Sequence, residues 1–324
     1  MLADPPRKAR TALAVIAAIA GGALLVWQIH NVGLDQIAEL LARVRFGFLG
    51  ILALSLARFT LRSFAWITLI GESVPLGRAV AATITGDAVG NMTPLSLLVS
   101  EPTKAFYLGR GVKPSRALAA LAAETFLYSV TVAIFIILGT VAMLTTFPVP
   151  DAVQWAGLIA LAAMVTALAA ALWIVWRQPA VASTMLARIP LLKLDVVAAK
   201  VRDFESQTYG FVRGSRGVLS RVFTAETSFH LLSFAESYLT LWLVTGRSLP
   251  LEAFILDTVN RIINVLFRVV PFKVGVDEMS AGFVAPAIGL SPVVGVTLAL
   301  IRKGRLLTWA AVGFGLLARR AGQR

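Results

Sequence analysis

The chain has 324 residues, of which 58% are hydrophobic and 15% are charged. Apolar runs of about twenty residues recur along it, so the composition predicts an integral membrane protein and excludes an ordinary soluble domain. The sequence has no cysteine and two histidines. This excludes disulfides, thiol catalysis and cysteine-based metal sites, and we expect neither a metal ion nor another cofactor.

In chain order, the apolar segments predict an all-α polytopic membrane protein that forms a single transmembrane domain over residues 1–324. Full transmembrane helices, about six of them, are predicted at 11–29, 46–70, 117–146, 155–176, 222–245 and 291–317. An amphipathic helix at 30–45 is expected to lie on the outer surface. The segments 79–108 and 251–290 are expected to be re-entrant helical hairpins.

Both hairpins contain the same short pattern. A proline is followed seven residues later by a glutamate, Pro94 by Glu101 and Pro271 by Glu278. Proline interrupts a helix, and an acid at membrane depth needs a partner or a wet cavity. Each sequence therefore favours a broken helix that enters the membrane and returns.

The two halves of the chain are predicted to form an inverted repeat. The first repeat covers 46–147 and the second covers 222–317. In the predicted topology one hairpin enters from the cytoplasm and the other from outside, along mirror-related paths. Broken elements that meet near the midplane in this way are typical of transporters.

The net charge of +13 supports this orientation. Lysine and arginine are enriched on cytoplasmic loops, and the longest basic stretch, 177–221, is predicted to be one, with an amphipathic helix at 196–212. Both termini are then cytoplasmic, in an inner (plasma) membrane. Because the basic residues lie on short loops between apolar helices, we expect anionic or zwitterionic lipids as partners and no nucleic acid.

The second predicted span, 46–70, carries Arg58 and Arg62, which are four residues apart and share one face. An arginine in mid-membrane needs a partner or water. The guanidinium fork suits phosphate oxygens, so one interpretation is a phosphate clamp. The other is a structural ion pair with Asp87, Glu101 or Glu124, and the sequence leaves both open.

The hairpins carry further polar side chains at helical spacing, which we expect to bind substrate in a shared cavity. In the first hairpin these are Asp87, Asn91, Glu101 and Lys104. In the second they are Asp257, Arg261, Asn264, Arg268, Lys273, Asp277 and Glu278. So many ionisable groups suit a wet cavity better than lipid. In the alternative interpretation, local pairs such as Glu101 with Lys104 only hold a hairpin together.

The sixth predicted span, 291–317, carries Arg302. We predict that Arg302 is the ion-pair partner of Glu278 and part of the same binding site. Lys303 and Arg305 follow it and are expected to extend towards the inner membrane surface.

The fifth predicted span, 222–245, carries Glu226 and His230, which are four residues apart and therefore lie on one face. Both residue types can exchange protons within a membrane, which makes the pair a candidate proton relay. A single histidine in a polar pocket is alternatively a hydrogen-bonding residue without a proton-transfer role.

Two stretches resemble the signatures of the lysylphosphatidylglycerol synthase transmembrane-region family, also called flippase-like. The first is TPLSLLVSEPTKAFYLGRGVKPSRALAALAAE, and its signature positions are Pro94, Glu101, Lys104 and Glu124. The second is VPFKVGVDEMSAGFVAPAIGLSPVVGVTLALIRKG, with Pro271, Gly275, Glu278 and Arg302. In larger synthases of this kind a separate cytosolic domain transfers the aminoacyl group. We therefore do not expect this chain to catalyse that reaction.

These observations predict a lipid flippase or transporter that moves a charged, phosphate-bearing lipid through a polar cavity built by the two hairpins. We expect no catalytic residues. Two alternatives remain open. One is a membrane partner or stabiliser of an envelope glycosyltransferase or lipid-modifying enzyme, and the other is a transferase acting on a lipid-linked substrate. A homo-oligomer is also compatible with the sequence.

Overall fold

A computed structural model describes residues 34–93, 96–108, 112–178, 184, 195–267, 273 and 275–321. Eleven α-helices and no strand occur within these residues, so the predicted all-α class is confirmed for that part of the chain. The helices are α1 Leu34–Val44, α2 Gly47–Ile70, α3 Leu76–Met92, α4 Ser96–Leu108, α5 Pro114–Thr146, α6 Asp151–Arg177, α7 Asp195–Val212, α8 Arg216–Thr245, α9 Pro250–Leu266, α10 Val276–Val284 and α11 Pro292–Ala321. The predicted first span, 11–29, and Pro94 and Pro271 lie outside the described residues.

The helix boundaries follow local chemistry. Helices α5 and α9 each begin at a proline, Pro114 and Pro250, whose missing N–H does no harm in a first turn. The α8 helix begins after Ser215, whose side chain accepts a hydrogen bond from the backbone N–H of Val218. It ends at Gly246, where φ is 70° and the backbone is left-handed.

Three described helices, α2, α5 and α6, are long and apolar enough to cross a membrane. None of the residues in the most apolar window of α6 is fully buried by the rest of the described chain, as expected for a helix that faces lipid on one side. Helices α8 and α11 have 30 residues each, or roughly 45 Å at 1.5 Å per residue. Their length is sufficient, but their composition is more polar because they carry the charged residues of the protein interior.

Both predicted hairpin segments are interrupted helices. In the first, α3 and α4 pack against each other, and Gly86 allows this close approach because a Cβ there would lie 2.9 Å from the Ser100 carbonyl oxygen. In the second, α9 is followed by the short α10 and a 3-10 turn at Ala285–Ile288. Gly275, the residue before α10, has a φ of 81°, which glycine adopts without strain.

Helices from the first and second halves of the chain pack on each other. Helix α2 of the first half runs along α8 of the second. The first hairpin packs through α3 on α11, and the second packs through α9 on α5. Glycines allow both crossings: Gly313 lies against Ile84 and Ala88, and Gly139 lies against Thr258.

Apolar side chains form two separate clusters, and a polar layer lies between them. One cluster includes Trp66 of α2 and Val222 of α8, and the other includes Ile51 of α2 and Leu241 of α8. The partly buried Arg58 and Arg62 of α2 and the buried Glu226 and Glu236 of α8 fall between the two clusters. The packing therefore gathers the charges at mid-depth along the long helices.

Candidate functional site

The polar layer contains a cavity of about 270 Å³. Eight of the side chains that the sequence predicts as binding residues line it, namely Arg58, Arg62, Asp87, Asn91, Glu101, Lys104, Asn264 and Lys273. Arg305 of α11 is a fifth cation in the lining. The cavity wall therefore carries more positive than negative charge.

Arg62 is held by Glu124 of α5. Its Nε lies 2.7 Å from Glu124 Oε1, and its guanidinium carbon lies 4.6 Å from the centre of the Tyr128 ring. Glu124 is buried behind the arginine and does not line the cavity. Of the three ion-pair partners that the sequence allowed, the fold selects this one. A buried carboxylate thus fixes a guanidinium on the cavity wall.

Arg58 has a partner that the sequence did not indicate. Its Nη1 lies 2.8 Å from Glu236 Oε2, and Arg305 Nη1 lies 2.6 Å from Glu236 Oε1. Glu236 comes from α8 and is only 4% exposed. The expectation that Arg305 reaches the inner membrane surface is wrong, because this carboxylate holds it in the interior.

The first hairpin contributes a compact group of one cation and two acids. Lys104 Nζ lies 2.9 Å from Asp87 Oδ1 and 3.1 Å from Glu101 Oε1. The predicted pairing of Glu101 with Lys104 is confirmed, and Asp87 joins it from the other arm. Lys104 is buried at the junction of α3 and α4, so it both closes the hairpin and lines the cavity.

The second hairpin places most of its charges behind the cavity. Arg261 Nη2 lies 2.6 Å from Asp257 Oδ2, while Ser233 donates to Asp257 Oδ1 at 2.9 Å. Arg261 also contacts His230 Nδ1, and His230 Nε2 lies 3.0 Å from the hydroxyl of Thr131. These groups form a buried hydrogen-bonded network between α5, α8 and α9, whereas Asn264 reaches the cavity. Arg268 lies outside the described residues.

The predicted pairing of Glu278 with Arg302 is wrong. Lys303 Nζ lies 2.9 Å from Glu278 Oε1, and Glu278 Oε2 accepts the backbone N–H of Gly275 at 2.8 Å. Arg302 Nη2 instead donates to the backbone carbonyl of Leu256 at 3.3 Å. The one-residue difference arises because neighbouring helix positions point about 100° apart. The expected extension of Lys303 to the membrane surface is thereby also wrong.

Asp277 and Glu226 are two further predicted residues that do not line the cavity. Asp277 is half-buried and lies near Lys303 and Lys273. Glu226 is fully buried next to Glu124 and Arg62. The proton relay through Glu226 and His230 stays a prediction.

The family described as lysylphosphatidylglycerol synthase TM region matches residues 12–315. The chain belongs to this family. No curated protein and no solved structure matches it. Family membership supports the membrane location and a lipid-related function, and the match covers the transmembrane region that carries the cavity.

Sequence reasoning missed several residues of this transmembrane-region site, and four of them carry charged, amide or indole groups. Glu236 was not assigned a role, although a glutamate in mid-helix is a signal for a buried partner. Arg305 was assigned to the membrane surface. Asn260 and Trp309 also line the cavity, and each follows from helical spacing: Asn260 lies one turn before Asn264, and Trp309 one turn after Arg305.

Proposed function

We propose that the protein moves phosphate-bearing lipids across the membrane by admitting the headgroup to the central cavity. The observation that carries this proposal is the cavity lining: five cationic side chains and two carboxylates from both halves of the chain. Cations at membrane depth attract anionic groups, and arginine in particular suits phosphate oxygens. Acyl chains would remain in the surrounding lipid.

The arrangement of the helices supports a transport cycle. In our proposal the protein has six full spans and two re-entrant hairpins, arranged as an inverted repeat. The reciprocal contacts, α3 on α11 and α9 on α5, are those expected when two related halves face each other across a pseudo-twofold axis. Rocking of one half against the other would expose the cavity to each side in turn.

The location in an inner membrane and the cytoplasmic termini are parts of the same proposal. Arg213 lies in the turn before α8 and donates to the backbone carbonyls of Val175 and Trp176 at the end of α6, and Arg216 is the first residue of α8. The opposite end of α8 has only Arg247 in its turn. This imbalance supports a cytoplasmic position for the basic end.

The proposal is tested by purifying the protein, reconstituting it in liposomes with fluorescent phosphatidylglycerol, and following the loss of signal when a membrane-impermeant quencher is added. Protein-containing liposomes should lose signal from both leaflets, and protein-free ones from the outer leaflet alone. Arg58→Gln should slow the inner-leaflet phase, whereas Arg43→Gln, at an exposed pair with Glu39, should not.

Other outcomes point to other functions. Chemical conversion of the lipid, detected by mass spectrometry, would favour a lipid-linked transferase. Unchanged lipid with no movement between leaflets would favour a partner of an envelope enzyme. Either result would reject the transport proposal.

A further inference from the structure

Two buried carboxyl groups behind the cavity wall share one guanidinium. Glu124 of α5 is 1% exposed and Glu226 of α8 is 0% exposed. The Glu226 carboxyl lies against the Glu124 carboxyl, close enough for a hydrogen bond, and Arg62 of α2 is the cation beside both. Two carboxylates with one arginine would leave an uncompensated negative charge in the interior, which is costly at membrane depth. This carboxyl pair, Glu124 and Glu226, is therefore most stable with one proton.

The surrounding hydrogen-bond donors indicate which member of the carboxyl pair carries the proton. Glu124 accepts from Arg62 Nε at 2.7 Å and Arg62 Nη2 at 3.5 Å, and from the Thr125 hydroxyl at 3.3 Å. No N–H or hydroxyl group of the described residues donates to either oxygen of Glu226. Hydrogen-bond donors favour the charged form of a carboxyl group. Glu124 is therefore the carboxylate, and Glu226 is the acid whose O–H donates to it.

Other charged side chains near this part of α8 have partners elsewhere. They are Arg58 and Arg305 with Glu236, Arg261 with Asp257, Lys104 with Asp87 and Glu101, Lys303 with Glu278, Arg43 with Glu39, Arg221 with its own helix backbone, and Arg302 with the Leu256 carbonyl. His230, one turn beyond Glu226, contacts Arg261 and Thr131. Arg62 is the cation that faces the carboxyl pair, and Tyr128 covers it with its ring.

The carboxyl pair is connected to the central cavity through two side chains. Thr125 and Arg62 both line the cavity, and both donate to Glu124. Whatever the other charges of the lining, loss of the proton from Glu226 makes the group behind Arg62 more negative by one unit. An anion against Arg62 is then bound less favourably. A proton on the pair and an anion in the cavity therefore favour each other, and this coupling is reciprocal.

We propose that Glu124 and Glu226 form a site that binds a single proton, and that this proton is the coupling ion of transport. The proton site stands on the buried carboxyl pair alone, whereas the coupling rests on the proposed transport function. Glu226 holds the proton, Glu124 accepts its O–H and holds Arg62, and Thr125 links the pair to the cavity. An anionic headgroup binds to the protonated state, so the headgroup and the proton cross together.

The proton site is tested by infrared spectroscopy of the purified protein at neutral pH, because a protonated carboxylic acid has a C=O stretch that a carboxylate lacks. The unchanged protein should show a band of this kind that is missing from Glu226→Gln. Glu124→Gln should lose the same band, because Arg62 then pairs with Glu226 and keeps it ionised. Glu39→Gln, at an exposed side chain, should retain it. If Glu124→Gln does not fold, Arg62→Gln decides: it should enlarge the band, since neither carboxyl group then has a cation.

The coupling is tested in liposomes with fluorescent phosphatidylglycerol, a pH difference of one unit and the membrane potential held at zero. One proton for each singly charged headgroup should accumulate the lipid about tenfold in the leaflet on the alkaline side. The fraction open to an impermeant quencher measures this distribution. Glu226→Gln should equilibrate the lipid between the leaflets without accumulation. Glu39→Gln should accumulate it like the unchanged protein.

Absence of the band from the unchanged protein, or its persistence in Glu124→Gln, would overturn the proton site. The infrared measurement does not depend on movement of lipid. The band without any lipid movement would therefore support the site and reject transport. Lipid movement without accumulation in the unchanged protein would keep transport and overturn the coupling. Accumulation driven by a sodium gradient at equal pH would overturn the assignment of the coupling ion as a proton.

Discussion

Lys303 and Glu278 form a buried ion pair within the second half of the protein, with 2.9 Å between Nζ and Oε1. Glu278 is fully buried, and its other oxygen accepts the N–H of Gly275, the residue just before α10. The pair therefore fixes the start of α10 to the middle of α11. Arg302, one residue earlier, points to the α8 and α9 side instead.

This geometry predicts a specific pattern of stability. Lys303→Met leaves a buried carboxylate without its cation and should destabilise the protein by about 3–5 kcal/mol. The double variant with Glu278→Gln should recover most of that loss, because the fully buried position 278 then carries no charge. The free energy of unfolding in detergent is measured for the single variant and for the double variant. For Arg302→Met combined with Glu278→Gln, we expect the effects of the two substitutions on the free energy of unfolding to add, with a coupling energy below about 0.5 kcal/mol. A larger coupling energy would support the ion pair between Arg302 and Glu278 that the sequence predicts.

The junction of the two arms in the first hairpin should not tolerate a methyl group. At Gly86 an added Cβ would lie 2.9 Å from the Ser100 carbonyl oxygen and 3.0 Å from Lys104 Cε. We expect Gly86→Ala to destabilise the protein by about 1–3 kcal/mol, measured by thermal unfolding in detergent. Gly77 in the same helix has nothing within 4 Å, so Gly77→Ala should be neutral or slightly stabilising. Equal stability of the two variants would contradict the close packing.

Lipid movement should depend on the shape of the Arg62 side chain as well as its charge. Arg62→Lys keeps the charge but loses the planar fork that reaches both Glu124 and the cavity. We expect the inner-leaflet quenching rate in liposomes to fall by about tenfold while the folded protein persists. Arg43→Lys is the control at an exposed site and should leave the rate unchanged. A normal rate in Arg62→Lys would remove this residue from the transport route.

The proposed orientation can be tested directly because the sequence has no cysteine. Arg216 and Arg247 are exposed and lie at opposite ends of α8. In whole cells, Arg247→Cys should react with an impermeant maleimide, whereas Arg216→Cys should react only after the membrane is permeabilised. The reverse labelling pattern would invert the topology, and labelling of both from outside would exclude α8 as a span.

The sequence by itself determined the helices and the pairs within them. Apolar runs marked the long helices, and prolines and glycines marked their ends, because these signals act over a few neighbouring residues. Pairs three or four positions apart, such as Glu101 with Lys104, were readable for the same reason: helix geometry alone brings them together. The family resemblance was likewise carried by short local motifs and is confirmed by the match over residues 12–315.

Only the tertiary structure decided the pairs between helices. Arg62 could have met any of three acids, and the rotation of α2 against α5 selected Glu124. Glu236 meets Arg58 across 178 positions of sequence, and no local pattern encodes that contact. Each residue step turns a helix by about 100°, so small differences in helix rotation decide which charge faces the cavity and which faces a partner.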